Sequence, residues 1–154
     1  MGGRDLTTAA ICDAVESVLG AVTGIVRSES YDELTEGIQD VPLLQVWPAS
    51  GAPVSTDSGT HKFTLGGDDS DFTIQETVTI YADLWAKQRA HIGEDMSKLV
   101  TALDNICAEL RKQDCDPFDL EGLQSFQWSW VVGTAEWAKQ LYLRARFTLV
   151  FRIF

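Results

Sequence analysis

The chain has 154 residues, 45% hydrophobic and 10% aromatic, with a formal net charge of −11. That length predicts one domain, able to bury roughly 70% of its unfolded surface without staples. The acidity argues against a surface that grips nucleic acid generally.

Leu6, Ala10, Ile11, Ala14, Val15, Val18, Leu19 and Val22 recur at helical spacing and predict a first amphipathic helix over about 7–19. Asp5, Thr7 or Thr8 can cap its start, and Gly20 suits the position just past its end. Ile25-Val26-Arg27 reads as a short strand, and 31–37 as an acidic connection. Pro42-Leu43-Leu44-Gln45-Val46-Trp47-Pro48 is an apolar run between prolines. It predicts a short buried strand, because proline is tolerated at strand ends but not in a central ladder. A polar tract over 49–71 follows, a loop or arm rich in Gly, Ser and Asp.

The stretch 72–83 alternates again, with Phe72, Ile74, Val78, Ile80 and Ala82 on one face, and an extension through Leu84-Trp85-Ala86 is open to it. A second helix begins near Glu94, its stripe formed by Met96, Leu99, Val100, Leu103, Ile106, Cys107 and Leu110. Its acids stand in the first turn and Arg111 and Lys112 in the last, as the helix dipole favours. Phe126, Trp128, Trp130 and Val132 predict the inward stripe of a penultimate strand, which Gly133-Thr134-Ala135-Glu136 turns back. In 140–154, Leu141, Leu143, Ala145, Phe147, Leu149, Phe151 and Ile153 take every second position, with Tyr142, Arg144, Arg146 and Arg152 between them. One face of that strand is inward and the other outward. Its length, about 50 Å if extended, exceeds a usual strand of five or six residues.

The predicted fold is therefore α+β, one domain over 1–154. Two helices pack on one face of a mostly antiparallel four- to five-stranded sheet, in the order α-β-β-α-β-β, with the long loop between the first two main strands.

Chemistry is sparse. His91 and Asp95 are four apart, which suits a solvated helix start better than a catalytic pair. No nucleophile elbow and no phosphate-cradling glycine motif occurs. Asp68-Asp69-Ser70-Asp71 lacks the spaced oxygens of a calcium loop, and Asp114-Cys115-Asp116 has no second ligand cluster. Cys12, Cys107 and Cys115 are an odd number with no C-x-x-C spacing, which suits synthesis in a reducing cytoplasm. No apolar run of about 18 residues and no basic-then-apolar start predicts a membrane span or a secretory leader. The expectation is a protein without enzymatic activity, cofactor or metal.

Two features point to assembly. Compact domains rarely keep a loop as long as 49–71 without a use for it. His61, Lys62, Phe63 and Leu65 give that tract something to bury against a neighbour. Around the terminal hairpin, Trp137 falls at the turn and Tyr142 on the outer strand face, where an interface would use them. Charge is also divided: 122–154 carry four bases against Glu136, a net of +3, while 1–121 carry eight bases against 22 acids, a net of −14. Unlike patches of this kind suit a contact between copies, basic hairpin on acidic body. Pairing of the same arginines within their own subunit is the equal alternative.

The order of elements resembles that of tail terminator, or tail-completion, proteins of long-tailed bacteriophages. The resemblance rests on Pro42-x-x-x-Val46, on Ile74-x-x-x-Val78-x-Ile80-Tyr81-Ala82, on a helix over 94–112, and on Trp137-x-x-x-Leu141-x-Leu143-x-x-x-Phe147. It implies a structural virion protein, made in the host cytoplasm, that forms a homo-oligomeric ring, typically six-fold, on the last ring of the tail tube. Such a ring ends tube polymerisation and meets the neck or head–tail connector, while DNA passes through as cargo. The resemblance places 49–71 in ring or tube contacts. Arg144, Arg146 and Arg152 then face a neighbouring subunit or, alternatively, the DNA channel. Another neck protein, or an unrelated protein-binding module, are the alternative readings.

Overall fold

The computed structural model describes residues 6–32, 41–53, 76–87, 92–113, 117–137 and 140–153. Helix α1 spans Thr8–Gly20, β1 Arg27–Glu29, β2 Leu43–Pro53, β3 Glu76–Lys87, α2 Ile92–Lys112, β4 Leu123–Trp137 and β5 Gln140–Ile153, with a 3-10 turn at Pro117–Asp119. The fold is α+β, two helices and a mixed five-stranded sheet in the order β1-β2-β3-β5-β4. β1 runs parallel to β2; the pairs β2–β3, β3–β5 and β4–β5 are antiparallel. The expected tract over 54–71, with His61, Lys62, Phe63 and Leu65, lies outside the described residues, as do Phe72, Ile74, His91 and Cys115.

Thr7 caps α1, its hydroxyl accepting from the amide of Ala10 at 3.1 Å. A cap of this kind contributes about 1 kcal/mol. Ile11, Cys12, Val15 and Leu19 form the buried stripe. Buried residues of α2, Leu99, Ala102, Leu103, Ile106, Cys107 and Leu110, enter the same cluster. The strands supply Leu44 and Val46, then Val78, Ile80, Ala82, Leu84 and Ala86, then the alternate residues of β5 from Leu143 to Ile153. From Leu143 to Ile153 the inward half of the period-two pattern in β5 is buried, whereas Leu141, the first residue of the expected stripe, is exposed near the strand's start.

Four sequence expectations shift. Gly20 is the last helical residue and Ala21 is the cap. Gly20 is required by contact: a Cβ there would stand 2.7 Å from Cβ of Ser28, whose hydroxyl donates to Glu16 Oε1 at 2.6 Å. The short strand lies at Arg27–Glu29, two residues later than 25–27. β2 does not stop at Pro48 but continues to Pro53, with an irregularity between Pro48 and Ser50. Because β1 pairs only with Leu43, Leu44 and Gln45, β2 is an edge strand beyond that point among the described residues, and an edge tolerates proline. Finally, Gly133-Thr134-Ala135-Glu136 is not a turn. These residues extend β4, paired with Arg144, Leu143, Tyr142 and Leu141, so the hairpin is longer than its glycine suggests.

Gly20→Ala gains about 1 kcal/mol in helix propensity. Overpacking against Ser28 outweighs this at about 2 kcal/mol, so the variant unfolds at lower urea than the parent. Adding Ser28→Gly should return most of the loss; a stabilised single variant would contradict the contact.

A non-glycine left-handed pair, Phe118 at φ 55° and Asp119 at φ 52°, closes α2 onto β4. Such backbone costs about 1–3 kcal/mol. It is held by the Phe118 amide, which donates to Gln113 Oε1 at 2.7 Å, and by the buried Phe118 ring. That ring lies edge-on to Phe126 at 5.4 Å and to Phe151 at 5.8 Å, while Phe126 and Phe151 stack at 5.0 Å.

Candidate functional site

The strand residues that alternate with the core set belong to the other sheet face. Register lines up Glu29 of β1, Gln45 of β2, Asp83 of β3, Arg146 of β5 and Val131 of β4 in one row across all five strands. Glu29, Gln45 and Asp83 are each at most 2% exposed. Their polar atoms are used within the chain. Asp83 Oδ1 accepts from Arg146 Nε at 2.9 Å, and Oδ2 accepts from Arg146 Nη2 at 3.1 Å and from Trp47 Nε1 at 3.0 Å. Glu29 accepts from Gln45 Nε2 at 3.0 Å and from Arg27 Nε at 3.2 Å.

The Arg146 guanidinium is therefore clamped by two parallel hydrogen bonds, the strongest form of arginine–carboxylate pair. It also lies 4.1 Å from the Tyr81 ring centre and 5.4 Å from that of Trp47, and those two rings meet edge-on at 5.2 Å. The hydrogen bond to Asp83 raises the Arg146 pKa above its ordinary value, so this cation is permanent. Sequence reasoning missed Asp83, Gln45 and Glu29 as partners. The available signal was a carboxylate and an amide set singly inside apolar strand runs, Tyr81-Ala82-Asp83-Leu84-Trp85 and Leu43-Leu44-Gln45-Val46. Lone buried polar groups of that kind need partners.

Next to this row, Leu43, Trp85 and Tyr142 form a small second cluster, with Val41 and Ala135 packed against it. Tyr142, expected on an outer interface, is 6% exposed and meets Trp85 edge-on at 6.1 Å. Arg144 stacks over Trp85 at 5.6 Å and is half-buried. Arg152, beside Thr77 and Ser125 in register, is exposed. The expected stripe of three outward arginines is thus three different environments: Arg146 tied to its own Asp83, Arg144 lying on an aromatic ring, Arg152 in solvent. Trp137 is the last residue of β4. The interface candidates His61, Lys62, Phe63 and Leu65 are not among the described residues.

The apolar surface lies elsewhere on the same hairpin. β4 is the outer strand, and the helices pack chiefly on β2 and β3. Its predicted inward stripe is accordingly incomplete: Phe126, Trp128 and Val132 are partly buried, but Trp130 is 49% exposed. On the opposite face Val131 is 61% exposed, and at the start of β5, in phase with its core residues, Leu141 is 51% exposed. Nothing in the alternation of β4 distinguished an edge position from a central one.

Among the described residues, no three His, Cys, Asp or Glu side chains come together in a way that could hold a metal ion. Cys12 and Cys107 are buried, and burial pushes the Cys12 thiol up to about 11, which keeps it protonated and a poor nucleophile at neutral pH. No described helix is long and apolar enough to cross a membrane. Neither the models of known protein families nor the curated proteins match this sequence.

Proposed function

We propose that this chain is a structural virion subunit of the tail-terminator kind. It forms a ring of its own copies that caps a phage tail tube, stops its growth and joins it to the neck, with DNA passing through. In this reading both helices cover one face of the sheet and the long β4–β5 hairpin serves as the assembly element. The observation that carries it is the division of the C-terminal hairpin: one side of β5 is core from Leu143 to Ile153, while the rest of the hairpin holds an exposed arginine, a ring-stacked arginine and exposed Trp130, Val131 and Leu141. The order of elements, with the strand after Pro42 and the final hairpin, adds the family pattern. The polar row on the second face supports a structural rather than a chemical role, since its donors and acceptors are turned on one another.

Among the described residues of this hairpin, Arg144 and Arg152 are the cations left to reach an acidic neighbour, whose 1–121 region carries net −14. Changing both to glutamate should abolish or strongly weaken ring assembly. The fold should survive, because Arg152 is exposed and the ring stacking of Arg144 is worth about 1 kcal/mol. Light scattering reads the assembly, and circular dichroism the fold. Intact rings of the doubly changed protein would remove the arginines from the contact.

A further inference from the structure

We infer that β4 is the site at which a second copy of this chain adds to the sheet, edge to edge, across a two-fold axis. No described strand pairs with its outer side. Natural edge strands are normally blunted by lysine, proline, short length or a covering element. β4 has fifteen residues, LQSFQWSWVVGTAEW, with no proline, no lysine or arginine and one acid, Glu136. It also leaves Trp130 half exposed on one face and Val131 more than half exposed on the other.

The opposite edge is a poor partner for it. β1 has three residues, and Arg27 and Glu29 are two of them. A self-pair through β4 is therefore favoured over a head-to-tail one. Charge does not oppose this occupant at the β4 edge. Two bodies of net −11 repel over most orientations, whereas β4 brings almost no charge to the contact. With Trp130 opposite Trp130 of the second copy in an antiparallel pair, Trp128 meets Val132 and Ser129 meets Val131. The single acid, Glu136, then falls beside Gln124 and not beside another carboxylate. A two-fold of this kind places the same patch on both sides, as an isologous dimer requires.

The area is sufficient. Fifteen residues extend about 50 Å, and a sheet with its side chains is about 10 Å thick, so the two edges bury on the order of 1,000 Å² together. That is the threshold for a specific contact, about 1,000 Å². The contact uses neither Arg144 nor Arg152, so it exists whether or not the chain builds a tail ring.

Sedimentation velocity of the full chain and of Val131→Lys tests the pairing. The parent should sediment with a dimer as its smallest stable assembly, and Val131→Lys should halve that mass with an unchanged circular dichroism spectrum. A Ser129→Cys, Val131→Cys variant should form a reductant-reversible covalent dimer under mild oxidation, above any seen with the parent. A parent that stays monomeric at micromolar concentration, a Val131→Lys variant that remains dimeric, or a cysteine variant that does not cross-link beyond the parent would overturn the assignment.

Discussion

Asp83→Ala lowers stability by about 3 kcal/mol, the range for breaking a buried ion pair by removing one partner. The Asp83 side chain is 2% exposed and that of Arg146 22%, so solvent replaces little of what the carboxylate provides. Removal strands the guanidinium, which stays charged because nothing in the accessible pH range deprotonates it. Trp47 loses the acceptor for its indole N–H in the same step. The cost should be one of desolvation rather than of net attraction. Replacing both members with apolar residues, as in Asp83→Leu with Arg146→Met, should therefore recover most of the loss. Urea unfolding of the single and double variants decides this. A single variant within about 0.5 kcal/mol of the parent, the usual range of a neutral surface change, would mean the pair is ornamental.

Phe147→Ala should be more damaging still, about 4 kcal/mol. Phe147 is fully buried near the middle of β5, in register with Ala82 on one side and Trp130 on the other. Its ring belongs to the main core cluster with residues of both helices and lies in register with the small Ala82, and close-packed neighbours limit collapse of the cavity. Domains of this size are stable by about 5–15 kcal/mol, so the variant is left marginal or unfolded at physiological temperature. Phe147→Leu should cost far less, because most of the volume stays. Thermal unfolding of the two variants separates a packing role from mere hydrophobicity: equal losses would contradict the packing account.

Both effects fall on one strand, and its two faces were not equally legible. The core face of β5 from Leu143 to Ile153 followed from period two alone, since burial on one side forces every second residue to be apolar, while Leu141 kept the period and not the burial. The helices followed from their stripes, except that Val100 of the second is exposed, and of the three candidate caps Asp5, Thr7 and Thr8 it is Thr7 that caps the first. What escaped was anything set by a partner distant in sequence. Arg146 and Asp83 are 63 positions apart, and an arginine in an outward register looks the same whether its carboxylate is in its own chain or the next. The passage of β2 through Pro48 depended on β1 being too short to cover it. Gly133 read as a turn because glycine so often marks one, yet pairing with Arg144 carries the strand past it. Trp130 read as core because strand order, which places β4 at the edge, is not written in local alternation.

In the ring proposed above, Arg146, whose charge is already met by Asp83, drops out of the outward set, and Arg144 and Arg152 remain. Tyr142 likewise moves from interface to packing, against Trp85.

Electron microscopy of the purified chain mixed with phage tail tubes tests the assembly reading most directly. The account predicts extra ring-shaped density on one end of each tube and tubes that no longer elongate when fresh tube subunits are added. Tubes that stay bare and keep growing, with no rings in solution, would contradict it.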